Sequence, residues 1–193
     1  MNKSEARLHY RRIRNKLLEA EIQEKSLQIS SNCLQFFDWK NFRYVHTFLP
    51  INHLKEINTN IIINALRKNF AHLIITVPKI DISSSTLVSA KLDRETELFI
   101  NHIKIPEPID SFLIDAELID IVFIPLLCAD AQGHRVGYGK GFYDKFLATC
   151  KPNIVKVGLS FFPPIQKISD IGAHDIALDY CVTPERIYNF LKV

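Results

Sequence analysis

The sequence predicts an α/β protein, a mostly parallel sheet enclosed between helices in a three-layer αβα arrangement. Three observations lead there. First, "AHLIITVPK" (71–79) and "IDIVFIP" (119–125) are continuous apolar runs rich in β-branched residues, the pattern of strands covered on both faces. Second, stretches of helical periodicity alternate with such strands, as in layered α/β domains. Third, four of the six glycines fall in "GHRVGYGKGFYD" (133–144), just past a predicted central strand and at the start of a helix. Open α/β sheets bind their ligands at that place.

Taken in order, residues 3–37 read as helix. Ala6, Tyr10, Ile13 and Leu17, and later Leu27, Cys33, Leu34 and Phe37, keep helical spacing, and no Gly or Pro occurs before Pro50. A break is expected near Glu19–Glu21. "FRYVHTFLP" (42–50) reads as a strand closed by proline. "INTNIIINALRKNF" (57–70) reads as a helix capped by Asn58 or Thr59, with Ile61, Ile62, Ala65 and Leu66 toward the core. After the strand at 71–79, the alternating pieces between Ser83 and Asp115 predict a small meander marked by "IPEP" at 105–108. The strand at 119–125 leads into the glycine loop and a helix over about 140–150, with Phe142, Tyr143, Phe146, Leu147 and Cys150 on its apolar side. "NIVKVGLSF" (153–161) and "LDYCVT" (178–183) are the remaining strands. The 193 residues predict one domain, residues 1–193, with an N-terminal helical segment over about 3–37.

Composition narrows the function. An apolar fraction of 47% with 23% charged residues is that of a globular chain with an ordinary core. No run approaches the roughly 18 apolar residues of a membrane span. "MNKSEARLHYRRIRNK" has charges but no apolar h-region behind them, so no secretory signal is expected and the location expected is cytoplasmic. Cys33, Cys128, Cys150 and Cys181 form no C-x-x-C pair and have apolar neighbours, which predicts buried free thiols. A net charge of +3 suits a small anionic ligand and lacks the basic density of a nucleic-acid groove.

The glycine loop carries the chemistry. Gly137, Gly139 and Gly141 allow consecutive N–H groups to form an anion-binding nest ahead of a helix. Lys140 and Arg135 add cations, and Asp144 stands where it could hold a magnesium ion shared with phosphates. The Walker pattern fails, because His134 stands five before Gly139 and Gly141 follows Lys140 in place of a hydroxyl. The dinucleotide fingerprint fails too, with Phe142 at its third glycine. A steric turn between strand and helix is the plain alternative, but it requires neither the lysine nor the acid.

Residues 135–144, "RVGYGKGFYD", closely resemble the signature of the 5-formyltetrahydrofolate cyclo-ligase (methenyltetrahydrofolate synthetase) family. "KSEARLHYRR" is similar to that family's N-terminal K-x-x-x-R helix. "KEINT" (55–59), "IPEP" and "HDIALDYCVTPE" (174–185) resemble its further landmarks, in the family's order and over nearly the whole chain. The resemblance implies a fold similar to sugar-phosphate isomerases and CoA transferases. It implies conversion of 5-formyltetrahydrofolate to 5,10-methenyltetrahydrofolate, with Mg²⁺ and with ATP spent to ADP and phosphate. The formyl oxygen would attack the γ-phosphoryl group, N10 would close the ring, and phosphate would leave.

Carried over position by position, the resemblance implies that Lys3 and Arg7 reach the ATP phosphates. Arg135, Gly137, Tyr138, Gly139, Lys140, Gly141, Phe142 and Tyr143 would form the nucleotide cradle, with Lys140 and Arg135 as the catalytic cations. Asp144 and Asp175 would coordinate Mg²⁺. Glu56 would hold the pterin, with Leu49, Tyr138 and Phe142 as further substrate contacts. By residue type alone, Lys3 and Arg7 read as part of a solvated basic helix with Arg11, Arg12, Arg14 and Lys16, and Asp175 as a cap or surface turn. Phe142 and Tyr143 fit stacking on folate or packing of their helix. His102 departs from relatives that carry an aromatic there.

Two other readings stand beside this one: a sugar-phosphate isomerase on a related fold, and a non-catalytic module that holds folate or nucleotide. The expected partners are small molecules, with no nucleic acid and no membrane, and a monomer is expected because no exposed apolar helix stands out.

Overall fold

Asn2 starts the first helix by a reciprocal cap. Its side chain accepts from the backbone N–H of Glu5 at 2.9 Å, and the Glu5 carboxylate accepts from the Asn2 N–H at 3.0 Å. The computed structural model describes residues 1–81, 83–84, 86–101 and 104–191; His102 lies outside them. Helix α1 spans Lys3–Asn15 and α2 spans Glu19–Phe36. The break therefore falls at residues 16–18, and the expected break point, Glu19–Glu21, is instead the first turn of α2. There the Glu21 carboxylate accepts from the Leu18 N–H at 2.7 Å, satisfying a donor the helix leaves open.

The strands are β1 (Tyr44–His46), β2 (Ile74–Asp81), β3 (Thr86–Lys91), β4 (Leu98–Ile100), β5 (Pro106–Pro108), β6 (Leu113–Ile114), β7 (Ile121–Pro125), β8 (Cys128–Ala129), β9 (Arg135–Val136), β10 (Val155–Leu159), β11 (Tyr180–Val182) and β12 (Ile187–Asn189). Helices α3 (Asn60–Asn69) and α4 (Phe142–Ala148) complete the regular elements. Eight strands form one sheet in the order β12-β11-β10-β7-β1-β2-β3-β6. The central pairs β11-β10, β10-β7, β7-β1 and β1-β2 are parallel, with registers such as Val157↔Phe123 and Val45↔Ile121. The outer pairs are antiparallel. This is a mixed α/β fold around a large, mostly parallel sheet.

Both faces of the sheet are buried, as the apolar runs predict. Along β7, Ile121 and Phe123 join a cluster with Ile22, Ile29, Cys33, Ile62 and Leu66 from α2 and α3. Val122 and Ile124 face the other way, into a cluster with Phe146 and Leu147 of α4. In β10, Gly158 permits close packing on that second side: a Cβ there would sit 2.5 Å from Leu126 and 2.6 Å from Leu178.

Several details depart from the expectations. On α3 the buried residues are Ile62, Ile63 and Leu66, while Ile61 and Ala65 are only half-buried. Thr59 precedes α3 without capping it, because its hydroxyl donates to the Phe48 carbonyl instead. The expected meander at 83–115 divides: β3 and β6 extend the main sheet, and β4 and β5 pair by themselves. The short β8–β9 hairpin and the last strand β12 were not expected. Cys33, Cys128 and Cys181 are buried free thiols, and Cys150 is half-buried. No helix among the described residues is long and apolar enough to cross a membrane.

Candidate active site

The glycine loop leaves β9, which pairs with β8 outside the eight-stranded sheet, and α1 packs on this hairpin through Ala6 and Tyr10 against Cys128 and Val136. Arg7 donates from Nε to the Gly137 carbonyl at 3.1 Å. Gly139 (φ +95°) and Gly141 (φ +69°) occupy the left-handed region that glycine enters without strain. A Cβ on Gly139 would also lie 3.3 Å from the Arg7 guanidinium, so the group that approaches the main chain closely here is Arg7. Gly137 has ordinary φ and open space around its Cα.

Beneath the loop, two cations alternate with two carboxylates. Arg135 is buried; its Nη2 donates to Asp144 Oδ1 at 2.7 Å and its Nη1 to the Ile176 carbonyl. Burial draws the Arg135 pKa below its ordinary value, opposed by the charges of Asp144 and Asp175. Lys3, at the start of α1, pairs with Asp175 Oδ2, which also accepts the Gly172 N–H at 2.6 Å. Burial raises the Asp175 pKa, but these hydrogen bonds and the charges of Lys3 and Arg135 outweigh it and hold the carboxyl below its usual range. Asp144 Oδ2 and Asp175 Oδ1 keep no protein partner among the described residues. One open oxygen on each of two carboxylates fits a hard cation that takes its other ligands from phosphate and water. Lys140 is exposed and makes no hydrogen bond or ion pair among the described residues, so its ammonium group is free to meet an anion.

On the other side of the loop, Tyr138 joins two buried charged residues. Its hydroxyl donates to Glu56 Oε1 and accepts from Arg14 Nη2 at 2.8 Å. Glu56 Oε2 accepts the Ile51 N–H at 2.9 Å. Burial raises the Glu56 pKa, against the hydrogen bonds from Tyr138 and Ile51 and the charge of Arg14, which lower it. Lys55, in the left-handed conformation (φ 51°), anchors this segment by donating to the carbonyls of Asn15 at 2.8 Å and Leu17 at 2.6 Å, which close α1. A water-sized cavity of about 10 Å³ lies beside Arg14 and Glu56, walled by Phe48, Leu126, Phe161 and Phe162. These wall residues follow β1, β7 and β10 directly.

The remaining expected contacts are core residues first. Leu49 is buried in the cluster under α2 and α3. Phe142 and Tyr143 pack against the α4 cluster. The Tyr143 hydroxyl is buried with no hydrogen-bond partner among the described residues, and burial pushes its pKa up. Lys3, Arg7, Arg135, Lys140, Asp144 and Asp175 therefore gather around the loop, and Glu56 and Tyr138 flank it. Arg14 is the residue the sequence reading missed. It was placed on a solvated basic helix, yet it is buried. A signal existed: Lys3, Arg7, Tyr10 and Arg14 repeat at the spacing of a single helix face, and that face also carries buried Ala6.

Residues 1–184 match the 5-formyltetrahydrofolate cyclo-ligase family. A 5-formyltetrahydrofolate cyclo-ligase of Mus musculus is 24% identical over 168 residues, covering 80% of each chain. The solved structure of Aquifex aeolicus 5,10-methenyltetrahydrofolate synthetase superposes with a TM-score of 0.85 at 24% identity, covering 100% of this chain and 95% of that one. A 5,10-methenyltetrahydrofolate synthetase from Mycoplasma pneumoniae gives a TM-score of 0.74 at 19% identity, covering 95% of this chain and 99% of that one.

Proposed function

We propose, from the premise that this chain belongs to the 5-formyltetrahydrofolate cyclo-ligase family and is a ligase, that it converts 5-formyltetrahydrofolate to 5,10-methenyltetrahydrofolate, consuming ATP with Mg²⁺ and releasing ADP and phosphate. Residues 1–193 act as one catalytic unit on a fold of the sugar-phosphate isomerase and CoA-transferase kind, in the cytoplasm, as a monomer. The observation that carries this reading is the docking of α1 on the glycine loop. Lys3 and Arg7 reach Asp175 and Gly137 across more than a hundred residues of sequence, assembling two cations, a loop of left-handed glycines and two half-open carboxylates at one place.

The chemistry needs that assembly. An amide oxygen leaves poorly, and transfer of the γ-phosphoryl group to the formyl oxygen turns it into phosphate. N10 then attacks the activated formyl carbon and gives up its proton to solvent, the ring closes, and the C–O bond breaks with phosphate as leaving group. The protein's part is positioning and charge stabilisation. Arg7, Arg135 and Lys140 hold the phosphates, with Lys140 facing the group in transfer. Lys3, now tied to Asp175, would exchange that partner for a phosphate oxygen. Asp144 and Asp175 would hold Mg²⁺, which when bound supplies positive charge shared between the phosphates. Glu56 would accept N–H donors of the pterin, a role suited to a carboxylate with two acceptor oxygens.

The deciding experiment follows the absorbance of the methenyl product with and without ATP. ATP-dependent product supports the ligase. Folate binding without turnover would leave a binding module, and turnover of a sugar phosphate without ATP would leave the isomerase.

A further inference from the structure

We propose that Arg14 is a second recognition group of the folate site: together with Glu56 it reads the ring N–H and the adjacent carbonyl of a 4-oxopteridine, Glu56 accepting from the N–H and Arg14 donating to the oxygen. This rests on the folate reading above.

Arg14 is a buried cation whose hydrogen-bonding capacity its surroundings only partly satisfy. Arg14 is 5% exposed in the last turn of α1. No carboxylate lies within ion-pair distance of it among the described residues. Its Nη2 donates to the Tyr138 hydroxyl at 2.8 Å, its guanidinium lies 5.5 Å from the centre of that ring, and its Nε is buried with no hydrogen-bond partner among the described residues. Its charge is offset by Glu56 only across the Tyr138 hydroxyl, and an unmade buried hydrogen bond is destabilising. Arg14 fits a group kept for a ligand.

The Tyr138 hydroxyl indicates which ligand. It gives its proton to Glu56 and receives one from Arg14. A ligand that takes its place must offer a donor to the carboxylate beside an acceptor for the guanidinium. The lactam edge of a 4-oxopteridine carries that pair in the plane of a flat ring, and Phe48, Phe161 and Phe162 line the adjoining wall. A 4-aminopteridine presents a donor where Arg14 requires an acceptor.

The test compares dissociation constants of 5-formyltetrahydrofolate and its 4-amino-4-deoxy counterpart, by calorimetry, on the intact protein and on Arg14→Leu. The unaltered protein is expected to prefer the 4-oxo ligand. Arg14→Leu should weaken that ligand roughly 10- to 150-fold, the range of a charge-assisted hydrogen bond, and leave the 4-amino ligand unchanged or tighter, so the preference collapses. At saturating ATP, KM for the folate should rise far more than kcat falls. Should Arg14→Leu fail to fold, Arg14→Lys, which keeps the charge and loses the planar fork, should lose a smaller part of the same preference. Both ligands weakening alike, or neither weakening, in a folded variant overturns the assignment of Arg14 and leaves the folate reading standing. An unaltered protein that binds neither ligand and forms no methenyl product overturns both.

Discussion

Oδ1 of Asp144 accepts two hydrogen bonds at once, from Arg135 Nη2 at 2.7 Å and from the Ile176 N–H at 3.1 Å. One oxygen thus ties the helix after the glycine loop to the segment that carries Asp175, and the second oxygen has no protein partner among the described residues. Asp144→Asn keeps the shape and removes the charge. It should move the magnesium titration of activity to higher concentration. It should also lower stability by about 1–3 kcal/mol, because Arg135 loses its counterion while still buried. A magnesium titration beside a thermal melt separates the two effects, and an unmoved titration removes Asp144 from the metal site.

Lys140 stands exposed on the loop with no protein partner among the described residues, so its removal touches no packing. Lys140→Ala should lower ATP-dependent turnover roughly 10- to 150-fold, with an unchanged melting curve. Full activity in this variant would end its assignment to the γ-phosphoryl group.

Glu56 predicts two opposite pH trends. Burial is the largest influence on its carboxyl and raises the pKa, above the ordinary value near 4.3. A raised folded-state pKa contributes stability at low pH that is lost as pH rises through it. The ionised form, however, is the one that accepts two donors from the pterin. Across this window, rising pH should reduce stability and strengthen folate binding. Glu56→Gln should flatten both curves, measured by denaturant unfolding and by ligand titration. Curves for the variant that still follow those of the unaltered protein would assign the titration to another group.

His46 sets an acid-side dependence of stability. It is fully buried, with Nδ1 2.9 Å from the Ser89 hydroxyl and 3.1 Å from that of Thr76. Burial lowers its pKa to about 3. The unfolded chain takes up this proton below about pH 6.5 and the folded protein does not. Stability should therefore fall with falling pH, by as much as ~1.4 kcal/mol per unit from this group. His46→Asn should show a shallower acid slope in denaturant unfolding between about pH 4 and 6.5, whatever its stability at neutral pH. An equal slope in both proteins would rule out His46 as the source.

How far the sequence reaches can be followed residue by residue. The runs that became β2, β7 and β10 were legible, because a strand buried on both faces needs apolar side chains at successive positions and shows that need locally. The placement of Lys140 and the left-handed glycines between strand and helix, and of Asp144 in the first turn of that helix, was legible for the same reason: turn chemistry is written within a few residues. What β3 and β6 would join was not legible, since an alternating strand carries no mark of its neighbour.

By itself the sequence determined the types of the main helices and of the buried central strands, the position of the glycine loop, and a family resemblance that extends from Lys3 to the closing segment. Only the tertiary structure decided which charges are buried and with whom. Arg14 reads as one more cation on a basic helix until Tyr138, 124 residues away, meets it in front of Glu56. Asp175 reads as a surface turn until Lys3 reaches it across 172 residues. The physical reason is range: backbone preference and periodicity act over one or two turns of chain, whereas the cost of burying a charge depends on what the fold brings against it from elsewhere.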